Sequence, residues 1–216
     1  MHRQLFRSFP VALLICFMLV TVPQSALASS SHHEPEPTKG MALHDAMRKL
    51  WAEHVFWTRI FIISAVADLG DKGFAPERLL QNQVELGNLL KPYYGDAAGD
   101  QLTNLLKEHV ITAAQIVAAA RAGDKPKQEE ATKRWFLNAD QIAAFLSDAN
   151  PRNWPRAEMQ QMMREHLNLT TVEVSARIQG NWAADIAAFD KIHEQILHMA
   201  DMLTEGIVKQ HPAKFK

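Results

Sequence analysis

Apolar residues recur every three or four positions from Met41 to the C-terminus, and the β-branched alternation typical of strands is absent. This spacing predicts α-helices that bury one face. Glycine and proline residues interrupt the pattern at five places, so the sequence predicts six helices. The predicted helices cover residues 42–68, 75–91, 96–122, 126–148, 156–178 and 182–209. Because the connections are short, consecutive helices should lie antiparallel, which predicts an all-α six-helix bundle made of three repeated helical hairpins.

A six-residue pattern occurs once in the first helix of each predicted hairpin. Two apolar residues are followed by any residue, by Glu-His and by another apolar residue at 50–55, 105–110 and 162–167. The histidines of these three copies, spaced by 55 and 57 residues, are His54, His109 and His166. Asn82 and Asn138 occupy matching positions in the second helices of the first two hairpins. A period near 56 residues in three copies predicts a triplicated hairpin.

Helical geometry predicts that the motif histidines are buried. Each residue of an α-helix turns about 100° around the axis, so His54, His109 and His166 fall on the apolar stripes of their helices. In the last helix, His193 falls on the apolar stripe in the same way. A buried imidazole without partners costs free energy, so its ring nitrogens require hydrogen bonds or a metal ion.

Two explanations meet that requirement. The first is a polar layer in the core, in which each imidazole bonds to an asparagine, a threonine or a carboxylate. The second is one bound transition-metal ion, because facing helices of a bundle can direct imidazoles at a common point. The predicted ligands of such an ion are His54, His109, His166 and His193. The groups predicted to orient these ligands are Asn82, Asn138 and Asp201.

The N-terminal segment resembles a secretory signal. Residues 1–28 combine a basic start, an apolar stretch too short to span a bilayer comfortably, and an Ala-Leu-Ala cleavage pattern. The alternative is an uncleaved membrane anchor. The sequence therefore predicts an exported protein, periplasmic or secreted, with a flexible linker over 29–40 and one domain over 41–216. Cys16 lies within the predicted signal, so the mature chain would contain no thiol.

Composition and missing motifs exclude several function classes. A net charge of −1 argues against a nucleic-acid partner, and a single cysteine excludes a disulfide scaffold or a cysteine-ligated cluster. The sequence contains no HExxH motif, nucleophile elbow or glycine-rich phosphate loop. We therefore expect a non-enzymatic protein, either metal-binding or a structural or partner-binding envelope protein. An enzyme acting on an extracytoplasmic substrate is the remaining alternative.

Four further motifs carry a family resemblance over nearly all of the predicted mature chain. They are the Trp57-Thr58-Arg59 segment, RLLQNQ at 78–83, KPYYG at 91–95 and NWP at 153–155. Together with the Glu-His pattern, they make the chain similar to an uncharacterised group of small, exported, all-helical bacterial proteins. Some members carry a glycosyltransferase label. The α/β architecture usual for nucleotide-sugar enzymes is not predicted here, so the resemblance implies no catalytic residue.

Overall fold

Six α-helices account for most of residues 38–216, the part of the chain that this computed structural model describes. They are α1 (Lys39–Ala67), α2 (Phe74–Tyr94), α3 (Asp96–Ala122), α4 (Lys125–Ala149), α5 (Arg156–Ile178) and α6 (Trp182–Gln210), followed by a 3-10 turn at Pro212–Phe215. No strand occurs in these residues, which confirms the predicted all-α bundle. The predicted signal peptide and residues 29–37 of the predicted linker lie outside the described residues.

The predicted helix boundaries hold closely, with two instructive differences. α1 begins three residues early, because the Thr38 side chain accepts a hydrogen bond from the Met41 backbone N–H and caps the helix. α2 continues through Pro92 to Tyr94, where the sequence predicted a connection. Contacts from the C-terminal segment stabilise this last turn. Tyr93 stacks on Phe215 with ring centroids 5.6 Å apart, and the Tyr94 hydroxyl donates to Gln210 at 2.6 Å.

The helices close into a ring. Each helix packs against the next one along the chain, α6 packs against α1, and α1 also contacts α3 and α5. Within the first pair of helices, contacts run Leu50 to Asn82 and Glu53 to Arg78, so the residue numbers rise on α1 as they fall on α2. This order shows that α1 and α2 are antiparallel.

The main apolar core fills the end of the bundle that holds the beginnings of α1, α3 and α5. Trp154, in the connection between α4 and α5, is fully buried there, and its indole N–H donates to the Met202 carbonyl at 3.3 Å. Gly206 of α6 provides the space, because a Cβ atom at this position would collide with the indole. Asn150 secures the arrangement by donating to the Gly206 carbonyl at 2.9 Å.

A smaller apolar cluster lies toward the other end of α1, α3 and α5. Ile62, Val117 and Val174 are its buried members. By length and composition α1 would also qualify as a membrane-spanning helix, a test that core helices of soluble proteins pass as well. In this structure α1 contributes Met47, Trp51 and other buried residues to the bundle core.

Candidate functional site

Three histidines form a buried layer between the two apolar clusters. His54 on α1, His109 on α3 and His166 on α5 are 4%, 3% and 5% exposed, as the helical periodicity predicted. The rings of His54 and His166 are neighbours, with centroids 5.9 Å apart. Burial lowers the pKa of His54, and the nearby His166 and His109 lower it further, because a charge on one imidazole disfavours a charge on the next. We call these three residues the histidine layer.

Each member of the histidine layer bonds through Nδ1 to an amide side chain 29 residues later. His54 pairs with Gln83 at 3.2 Å, His109 with Asn138 at 2.9 Å and His166 with Gln195 at 3.2 Å. Asn138 is one of the groups predicted to support a histidine. Gln83 and Gln195 were not predicted, although a search for amides at a constant distance from the motif histidines would have found both.

The same amides also tie the two helices of each pair together through the backbone. Asn138 donates its N–H to the Leu105 carbonyl at 3.1 Å, and Gln195 donates to the Met162 carbonyl at 3.2 Å. Each of these carbonyls belongs to the residue four positions before the histidine. In the first pair the two contacts come from two different residues. Asn82 donates to the Leu50 carbonyl at 3.0 Å, and Gln83 contacts His54.

This network assigns the tautomers of two of the three imidazoles. Since the N–H groups of Asn138 and Gln195 are directed at carbonyls, their oxygens accept from Nδ1–H of His109 and His166. These two histidines therefore carry a lone pair on Nε2. At His54 the facing atom is the Gln83 amide nitrogen, which lies 3.2 Å from Nδ1 and also donates to the Leu79 carbonyl at 2.7 Å and to the Asn82 side-chain oxygen at 3.1 Å. Its two hydrogens are taken up by these two oxygens, so this contact assigns no tautomer to His54.

Burial keeps the histidine layer uncharged at neutral pH. It lowers the pKa of His109 to about 3 and the pKa of His166 to about 4. It also lowers the pKa of His54 well below its ordinary value, with further lowering by the neighbouring His166 and His109. A neutral imidazole can serve as a hydrogen-bond partner or as a metal ligand, so protonation state alone does not separate the two explanations.

Two of the residues predicted to take part lie elsewhere. His193 is only partly buried and packs beside Phe189, with ring centroids 6.3 Å apart. It is two residues before Gln195, about 200° around α6, and therefore points away from the side that faces His166. Asp201 pairs instead with Arg48 at 2.6 Å and with His44 at 3.0 Å, near the surface. Within residues 38–216, no three His, Cys, Asp or Glu side chains are arranged to hold a metal ion.

Two tryptophans border the histidine layer with unused hydrogen-bond donors. Trp51 lies edge-on to His54 at 5.6 Å, and Trp135 lies beside His109 at 5.2 Å between ring centroids. Both indole nitrogens are buried without a partner in the described part of the chain. The side-chain oxygen of Gln83 is also buried without a hydrogen-bond partner among the described residues. Buried polar atoms are usually satisfied, so these three mark the layer as a place where polar groups were retained at a cost in stability.

A cavity of about 300 Å³ lies directly beyond the histidine layer, between α1, α3, α4 and α5. Residues four positions after each histidine line it, namely Thr58, Ala113 and Thr170. The next turn of the same three helices contributes the small apolar cluster of Ile62, Val117 and Val174. The cavity therefore lies at the same height on α1, α3 and α5, one to two helical turns beyond each histidine.

A buried cluster of charges joins α1, α5 and α6 near this end. Arg59 donates to Glu173 at 2.6 Å and to Asp185 at 2.9 Å, and Arg177 donates to Asp185 at 3.1 Å. Burial raises the pKa of Glu173 to about 7, although Arg59 opposes this. This cluster was not predicted from the sequence. The sequence feature that could have indicated it is a charged residue within a largely apolar stretch, Arg59 in α1 and Glu173 in α5.

Comparisons with known proteins return no assignment for this arrangement. The chain matches no family model, and no curated protein sequence or solved structure shows significant similarity to it.

Proposed function

We propose that this chain is an exported, non-enzymatic helical-bundle protein built from three copies of one helical hairpin. The repeated hydrogen bond from each motif histidine to an amide 29 residues later supports the triplication. In all three pairs of helices an amide also reaches the carbonyl four residues before the histidine. Such matched pairs at a constant separation are what a duplicated unit retains when most of its surface has diverged.

In this proposal the histidine layer is a neutral framework that sets the register of the two helices in each hairpin. The observation that carries it is the amide bridge, which links an imidazole and a backbone carbonyl of one helix to a side chain of the next. Sliding the helices by one residue would break both bonds and leave buried polar atoms unpaired. A structural or partner-binding role in the cell envelope is consistent with such a rigid bundle.

Export rests on residues 1–28, which lie outside the described residues. Their basic start, short apolar stretch and small residues at the cleavage pattern support a cleaved secretory signal. N-terminal sequencing of the protein purified from its native compartment tests this. A mature chain beginning at Ser29 agrees with the proposal, and an intact Met1 retained in the membrane fraction contradicts it.

A transition-metal site is the second candidate, and one observation favours it. His109 and His166 direct Nδ1–H at an amide oxygen, which leaves Nε2 free, and metal-ligating histidines are commonly oriented in this way by a partner on the other ring nitrogen. The His54 and His166 rings are adjacent at 5.9 Å. Against it, Nδ1 of His54 faces the Gln83 amide nitrogen instead of an oxygen, so its partner does not orient this imidazole in the same way.

Elemental analysis and thermal melts separate the two roles. Under the framework proposal, purified protein contains no stoichiometric metal, and a chelator leaves the melting temperature unchanged. His109→Ala then lowers the free energy of unfolding by about 1–3 kcal/mol, because Asn138 loses its buried partner. His193→Ala is the matched control and should change it by less than about 0.5 kcal/mol. About one ion per chain, with a melting temperature that falls on chelation, would replace the framework by the metal site.

A further inference from the structure

We infer that the cavity beyond the histidine layer binds an uncharged, largely apolar small molecule that carries a hydrogen-bond donor. This site is separate from the framework role proposed above and does not depend on it. The cavity occupies about 300 Å³, at the lower end of the range of about 300–1,000 Å³ for small-molecule sites. An engineered cavity of about half this volume accepts benzene, so a molecule of about twelve non-hydrogen atoms fits.

The absence of charge selects against ionic ligands. No Asp, Glu, Lys, Arg or His is among the described residues that line the cavity. Its inner wall is formed by aliphatic side chains together with Phe61 and the buried Trp135. A carboxylate or an ammonium group placed there would lose its hydration and find no counter-charge. The arrangement therefore favours a neutral ligand with a large apolar body.

The hydroxyl groups of the cavity are arranged as acceptors. Thr58 donates its hydroxyl hydrogen to the His54 carbonyl at 2.7 Å, and Thr170 donates to the His166 carbonyl at 2.9 Å. Thr132 likewise donates to the Gln128 carbonyl at 2.8 Å. With each hydrogen committed to the helix, the remaining capacity of these oxygens is their lone pairs. These oxygens can therefore accept from a ligand hydroxyl or N–H group, which gives such a ligand a partner beside the apolar wall.

The cavity has a route to solvent. Its inner part is bounded by buried residues such as Ile62 and Val117, whereas its rim at Thr171, Ser175 and Gln179, on α5 and directly after it, is exposed. A small molecule can thus enter between α4 and α5 without unfolding the bundle. A ligand that binds only the folded state stabilises it, so occupancy should raise the melting temperature.

Three probes of the same shape test the proposal on the full chain. They are 2-naphthalenemethanol, which has a donor; 2-methylnaphthalene, which has none; and 2-naphthoate, which is charged. We expect calorimetric titration to show saturable binding of the alcohol, at least threefold tighter than the hydrocarbon and at least 100-fold tighter than the carboxylate. Absence of saturable binding by the alcohol, or binding of the carboxylate with equal affinity, would overturn the inference.

Two kinds of variant locate the binding. Ala120→Phe places a ring in the cavity and should weaken binding of the alcohol at least tenfold, whereas Ala118→Phe, at an exposed position of the same helix, should leave it unchanged.

The double substitution Thr58→Val and Thr170→Val keeps the shape and removes two acceptors, so it should abolish the preference for alcohol over hydrocarbon. This second test remains decisive if Ala120→Phe fails to fold. The assignment is contradicted if Ala120→Phe binds the alcohol as tightly as the wild type does. It is also contradicted if the double valine variant still prefers the alcohol to the hydrocarbon.

Discussion

The two ends of the bundle, which the histidine layer separates, are packed in opposite ways. At the Trp154 end, a void lined by Met47, Leu86, Trp154 and their neighbours holds about 10 Å³. At the other end the cavity between α1, α3, α4 and α5 holds about 300 Å³. Protein interiors are normally close-packed, so the filled end is the expected outcome and the cavity is the exception.

The difference is caused by one side chain that has no counterpart. The connection between α4 and α5 inserts Trp154 against Gly206, and this indole fills the space enclosed by the six helices. At the opposite end the lining residues around Ile62 and Val117 are mostly small or β-branched, and none of them reaches across the space. One end of the bundle is therefore filled by a single large side chain, and the other keeps a cavity of about 300 Å³.

Removing the indole tests whether the filled end carries the stability. Trp154→Ala should lower the free energy of unfolding by about 3–5 kcal/mol, because a fully buried aromatic side chain leaves a large cavity. Leu137→Ala, at an exposed position of α4, is the control and should cost less than about 0.5 kcal/mol. Chemical denaturation measures both. A cost for Trp154→Ala no larger than that of the control would show that the two ends do not differ as described.

Acidification tests the layer between the two ends. The pKa values of His109 and His166 are lowered to about 3 and about 4, below the unfolded value near 6.5. Their contribution to stability is therefore fully present above pH 6.5 and is lost as the pH falls toward 4.

The size of this pH effect follows from linkage. Each histidine should reduce the free energy of unfolding by about 1.4 kcal/mol per pH unit between about pH 6 and pH 4.5. We expect the gap between wild type and His109→Gln to narrow over this range in urea titrations at fixed pH. A gap that stays constant from pH 7.5 to 4.5 would mean that His109 is not held neutral by burial.

Enlarging one alanine at each end of the bundle compares how tightly the two ends are packed. Ala143→Leu enlarges a fully buried residue of the main core and should destabilise the protein by about 1–3 kcal/mol. Ala120→Leu extends into the cavity and should be neutral or stabilising, since its extra atoms find vacant space. Thermal melts of the two variants provide the measurement. Equal destabilisation by both would indicate that the cavity end repacks as tightly as the Trp154 end.

The charge cluster should respond to pH with the opposite sign, and with a smaller total effect because one carboxyl titrates there whereas three imidazoles titrate in the histidine layer. The pKa of Glu173 is raised to about 7, above an unfolded value near 4.3, so the folded state binds a proton that the unfolded state releases. Stability from this group is present below about pH 4.5 and is lost as the pH rises to 7. Glu173→Gln should remove this dependence, and an unchanged pH profile in urea titrations would contradict it.

Much of the local structure and part of the candidate site could be predicted from the sequence. The apolar period and its breakers placed α3 and α5 with their observed ends, and the burial of three histidines followed from their positions on apolar stripes. His193 lies apart from the histidine layer, because an apolar stripe does not specify which neighbour it faces. Asp201 pairs with Arg48, which lies within reach on a helix far away along the chain.

The sequence by itself determined the helices, their order and the buried positions of the repeated motif, because these depend on residues within a few turns of one another. Only the tertiary structure decided which amide meets which imidazole, where Arg59 finds Glu173 and Asp185, and which end of the bundle is filled. These features join residues separated by 29 to 126 positions. Their geometry depends on helix rotation and on volumes summed over several helices, quantities that a local periodic pattern does not contain.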